Sequence, residues 1–219
     1  MSHGESWGWV TLFLLGVYHG INPGMGWLFA VALGMQEESR RAVWRSLLPI
    51  ATGHAFAIAL VALFGGLLQV VLPLDSLKIL VASVLIALGL YRLFRNRHPR
   101  WGGMRVGFRD LTIWSFLMAS AHGAGLMILP VLLKISEVNS QPLDLPSGQH
   151  HHHGVVVGGL STGLLATAVH TFGYLLITAM LALLVYEKFG LSLLRRAWVN
   201  LDLVWAVALM ATGCFTFFV

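Results

Sequence analysis

Six long apolar stretches take up most of this chain: Trp7 to Met35, Ser46 to Leu72, Leu77 to Phe94, Leu111 to Leu133, about Leu160 to Tyr186, and Trp198 to Val219. A transmembrane helix needs roughly 20 mostly apolar residues. None of the stretches alternates with the period of two that a membrane barrel requires. Within a bilayer the backbone must satisfy its own polar groups, so such runs read as helices. The expected fold is all-α: a polytopic membrane protein with six transmembrane helices in one transmembrane domain, 1–219. Only 11% of residues are charged, whereas a soluble domain has about 25%. That deficit excludes a soluble globular domain, a disordered chain and a coiled coil. The single cysteine, Cys214, has no partner for an intrachain disulfide and sits in an apolar run as a packing residue. Residues 1–6 carry no Lys or Arg, so the first run is not read as a cleavable signal.

Basic residues alternate between loops. The first loop holds Arg40, Arg41 and Arg45; the third holds Arg92, Arg95, Arg97, Arg100, Arg105 and Arg109; the fifth holds Lys188, Arg195 and Arg196. The second and fourth hold only Lys78 and Lys134, and the two ends hold none. By the positive-inside rule both termini and the even loops face outward, on the periplasmic or extracellular side of a cell inner (plasma) membrane. Trp7, Trp9, Trp44, Trp101 and Trp198 stand at run ends, as interfacial belts require. The net charge of +5 therefore marks cytoplasmic loops and not nucleic-acid binding; the main partner is the lipid bilayer.

Four of the ten histidines lie inside apolar runs, one in each of the first, second, fourth and fifth: His19, His54, His122 and His170. No Asp, Glu, Lys or Arg lies in those four runs. Ionisable groups at such depth are costly and face a cavity or a partner. A single histidine would read as a helix–helix hydrogen bond. Four read as a shared site. Their surroundings also repeat. His19-Gly20 is followed by Met25, and His122-Gly123 by Met127; His54-Ala55-Phe56 resembles His170-Thr171-Phe172. Copies three helices apart must be inverted in the membrane, the three-plus-three layout of secondary transporters, with halves about 7–94 and 111–219.

Asn22-Pro23-Gly24 interrupts the first run beside His19. Pro23 lacks an N–H and its ring clashes with the carbonyl of His19, so the helix should break there and expose backbone carbonyls. Irregular backbone at this depth is tolerated where it lines a cavity. Neutral imidazole suits nickel, copper, zinc and iron, and thioether suits soft ions. Met25, Met118 and Met127 lie within two turns of His19 or His122, and Asn22 offers an oxygen. Without carboxylates the runs disfavour calcium and magnesium. Without Arg or Lys they disfavour an oxyanion. The candidate metal residues are thus His19, His54, His122, His170, Asn22, Met25 and Met127. In the fourth loop, 134–154, the tract His150, His151, His152 and His153 reads as an outward-facing metal collector.

The segment LGVYHGINPGMGWLFAVALGMQEESRRAVWRSLLPIATGHAFAIAL resembles the nickel/cobalt transporter superfamily and its smaller relatives, the hydrogenase- and urease-associated nickel permeases. Those proteins carry a His-x4-Asp-His signature in one helix, a short charged loop, then Gly-His in the next. His19 matches the first signature histidine and Gly53-His54 the second-helix motif. The Asp and second His positions are Gly24 and Met25, which admits a softer ion. The resemblance covers about residues 10–95. It implies a permease for a transition-metal cation, nickel or cobalt with copper and zinc open, running as secondary transport. No GxxxxGK[ST] phosphate loop is present, so the chain is not read as hydrolysing nucleotide or as an enzyme. The ion is cargo, with no permanently bound cofactor expected; a homo-oligomer or a partner membrane subunit fits the same reading. The rival readings are a haem-binding electron-transfer subunit and a non-transporting assembly or scaffold subunit.

Overall fold

In a computed structural model, which describes residues 3–94, 107–139, 152–189 and 201–216, the apolar runs are helices. They are α1 (His3–Ile21), a 3-10 turn (Pro23–Met25), α2 (Trp27–Gln36), α3 (Arg40–Val71), α4 (Leu74–Phe94), α5 (Phe108–Ala121), α6 (Ala124–Asn139), α7 (His152–Leu184) with a π-helical turn (Val185–Phe189), and α8 (Leu201–Thr216). No strand occurs among the described residues. Among the described residues, two helices are long and apolar enough to cross a membrane, Arg40–Leu68 within α3 and Ser161–Lys188 across α7 and its π-helical turn. A third is added if α5 and α6, bent by 61°, are one broken span. These segments are compatible with a membrane location.

Their surface chemistry agrees with that. Leu48, Phe56, Phe64, Leu164, Phe172 and Leu176 are large, apolar and exposed along α3 and α7. A contiguous apolar surface of this kind needs lipid or a partner to cover it. Hydroxyl groups within the helices bond their own backbone: Ser46 to the Val43 carbonyl, Thr52 to Pro49, Thr167 to Gly163 and Thr212 to Ala208. This back-bonding satisfies a polar side chain without leaving the helix.

Small residues set the helix pairing. A Cβ on Gly16 would lie 2.0 Å from the His170 carbonyl oxygen, and one on Gly20 would lie 2.6 Å from that of Tyr174. Positions thus rise together along α1 and α7, and the two helices run parallel. Gly53 meets Thr112 and Phe116, while Gly125 meets Val61 and Gly65 meets Leu129, so α3 runs parallel to α5 and α6. In α4 and α8 the order reverses: Gly89 meets Met210, and Gly213 meets Ile86 and Ala82. The central pair, α3 and α7, is antiparallel as well. Gly163 faces Ala62, His54 touches His170, and Arg40 pairs with Glu187 at 3.1 Å. Backbones approach this closely only where Cβ is absent.

The break expected at Asn22-Pro23-Gly24 is present. A second break, not expected from the sequence, divides the fourth run at His122-Gly123. Its cause is the glycine: Gly123 takes φ +68, and its N–H bonds the Ser120 carbonyl, ending α5. The fourth loop is also shorter than 134–154, because α6 continues to Asn139 and α7 already begins at His152.

Candidate functional site

Three helices each deliver one imidazole to a common point. His19 comes from the last turn of α1, His54 from the middle of α3, and His170 from α7. All three are fully buried. Ring centres are 6.0 Å apart for His19–His54, 5.1 Å for His19–His170 and 5.5 Å for His54–His170. Gly16, packed on the His170 carbonyl, brings α1 close enough for this contact.

Hydrogen bonds orient two of these rings. His19 Nδ1 donates to the Leu15 carbonyl at 2.8 Å, and His170 Nδ1 donates to the Leu12 carbonyl, on α1, at 3.1 Å. A carbonyl only accepts, so the proton is on Nδ1 and the lone pair on Nε2. Metal-binding histidines are held in this way, one nitrogen bonded to a carbonyl and the other directed at the ion. His170 Nε2 and both nitrogens of His54 are buried without a hydrogen-bond partner. So is the hydroxyl of Thr171. Buried polar groups normally find partners, so a cluster without them suits a polar or ionic guest.

Three imidazoles bound to one ion at about 2.1 Å from nitrogen would hold their ring centres roughly 5 Å apart. The separations fit that geometry. The rotamers do not complete it: among the described residues, no group of three or more His, Cys, Asp or Glu side chains is arranged to hold a metal ion. The planes of His54 and His170 lie within 7° of each other, stacked.

The other expected residues fall around this cluster. Asn22 caps the 3-10 turn, its side-chain oxygen accepting from the Gly24 amide at 2.9 Å. The carbonyls expected to be exposed by the break are engaged instead. His19 O accepts from the Asn22 amide, Ile21 O from the Trp27 indole, and Met25 O from the Tyr174 hydroxyl. Met25 and Met127 are buried in the apolar core. Met118 lies against the first break, its terminal methyl 3.4 Å from where a Gly24 Cβ would be. His122 caps α5 at the second break, and its Nδ1 donates to the Met118 carbonyl at 2.7 Å. This repeats the bond from His19 to Leu15. Next to it, Gly123 faces Leu88 and Leu209, on the α4–α8 side. The rings of His19, His54 and His170 are in mutual contact. The tract His150 to His153 lies outside the described residues in its first half, and its second half opens α7 with side chains not described.

Sequence reasoning passed over Tyr174. It is fully buried, its hydroxyl bonds the Met25 carbonyl, and its ring stacks on His54 with centres 3.8 Å apart and planes 7° apart. The available signal was spacing: Tyr174 stands one turn after His170, on the same face of α7.

The chain matches no family model, no curated protein and no solved structure.

Proposed function

We propose that this chain is an inner-membrane permease for a transition-metal cation, of the nickel/cobalt kind with copper or zinc admitted, working as a secondary transporter. The observation that carries the reading is the mutual contact of three buried imidazoles from three different helices beside a broken helix. Imidazole nitrogens with lone pairs suit these ions and repel none of them. In this reading His19, His54 and His170 bind the ion, and His122 serves the matching break in the second half.

We propose six spans, both termini outward, and a three-plus-three inverted repeat. Helix directions support it. In such a repeat the first helix of each half packs parallel to the second helix of the other, which is how α1 meets α7 and α5 meets α3. Third helices should meet antiparallel, as α4 and α8 do. The first helix of one half is broken just after a His-Gly pair and that of the other at such a pair, and each histidine bonds the carbonyl four residues back. Inward movement of a divalent ion gains about 4.6 kcal/mol per 100 mV, twice the single-charge value, so the membrane potential suffices as a driving force.

The test is uptake into proteoliposomes under an imposed potential, negative inside, for Ni²⁺, Co²⁺, Zn²⁺ and Cu⁺. Saturable, potential-dependent uptake of at least one ion is expected. No uptake of any of them, under either polarity, would refute the permease reading.

A further inference from the structure

His19 and His170 are each oriented by a hydrogen bond from Nδ1, but His54 has none at either nitrogen. An imidazole with no such bond turns about its Cβ–Cγ bond unless packing stops it. What lies against His54 is Tyr174, nearly parallel and with ring centres 3.8 Å apart. Turning the His54 ring would drive its edge into the tyrosine face. Tyr174 itself is fixed at both ends: its backbone is in α7, and its hydroxyl is tied to the Met25 carbonyl of the broken segment. Gly26 makes room for that tie. It takes φ +143, and a Cβ there would lie 3.1 Å from the Tyr174 hydroxyl and 2.5 Å from Ile50.

We propose that Tyr174 is the positioning residue for His54, setting the plane of that ring by stacking where its neighbours use a hydrogen bond. The proposal rests on reading the histidine cluster as the ion's binding site. The aromatic ring is then the working part, and the hydroxyl only anchors it. A stacked ring leaves both nitrogens of His54 without a hydrogen bond, so the ligand can engage an ion without first breaking one.

Two readouts on the full-length protein in lipid nanodiscs test this. The first needs no metal: the ring-proton shifts of His54 in histidine-labelled protein, identified by the loss of its signals in His54→Gln. The Tyr174 ring should shield those protons. Tyr174→Leu should remove the shielding, Tyr174→Met should do the same with a side chain that repacks easily, and Tyr174→Phe should restore it. The second is equilibrium binding of Ni²⁺. The two non-aromatic variants should bind about 10–100-fold more weakly, the usual cost of losing an orienting partner, and Phe should recover most of that loss. Unchanged His54 shifts in both non-aromatic variants would overturn the proposal. So would a Phe variant as weak as Leu and Met, which would assign the effect to the hydroxyl. If the wild type bound no Ni²⁺, Co²⁺, Zn²⁺ or Cu⁺, the permease reading would fail, and the metal-free shifts would still decide whether Tyr174 sets the His54 ring.

Discussion

Replacing His170 by Ala separates a ligand from a helix contact by magnitude. The substitution removes the Nδ1 bond to the Leu12 carbonyl and one of the three mutually contacting rings. A hydrogen bond between helices in a membrane contributes about 0.6 kcal/mol on average and about 1.7 at most. The Leu12 carbonyl is inside α1 and keeps its helical acceptor role, so no buried group is orphaned by the change. A purely structural His170 therefore predicts a loss of roughly 1 kcal/mol in folding stability and no change in ion affinity. A ligand predicts about 10–100-fold weaker binding, roughly 1.4 to 2.7 kcal/mol, on top of that small destabilisation. Unfolding in denaturing detergent gives the first quantity, and calorimetric titration with Ni²⁺ and Zn²⁺ gives the second. Unchanged affinity in a folded His170→Ala protein would refute the claim that this ring binds the ion.

Further outcomes follow from other contacts. Gly53→Val would place a Cβ 2.2 Å from the Thr112 carbonyl oxygen, so α3 and α5 must part, at about 1–3 kcal/mol, read as lowered thermal stability. A reporter fused after Val219 should behave as periplasmic and one at Gly102 as cytoplasmic; the reverse at both places would overturn the orientation. Replacing His150 to His153 by Ser should leave maximal uptake intact and weaken uptake only at low metal, and total loss at saturating metal would put the tract in the ion's path. The purified protein should show no haem absorption band; a strong one would favour the electron-transfer reading.

How much of this was readable in advance depended on how unusual each residue is in its surroundings. His19, His54 and His170 stood out because an imidazole is costly in an apolar run. Pro23 announced its break through the missing N–H and the clash of its ring. The break at His122-Gly123 gave no comparable sign, since glycine is common in membrane helices and φ +68 leaves no trace in composition. Asn22 reads equally as a ligand or as a cap, and only the position of the Gly24 amide decides for the cap. Tyr174 was hidden because tyrosine in such a chain usually marks an interface. Its role depends on α3 and the broken segment arriving at the same place, which no local pattern encodes.

The partners of the broken segment carry a consequence for biosynthesis. The Met25 carbonyl waits for a hydroxyl 149 residues later, and the Leu12 carbonyl is met by an imidazole 158 residues later. A ribosome releases α1 and its break long before α7 exists. The first half, residues 7–94, is therefore made with its glycine face still bare. Expressed alone, that half should be unstable and degraded, and supplying the second half on a separate chain should rescue it. When α7 is made it docks against α1 and α3 and assembles the histidine cluster, and α8, made after it, docks on α4.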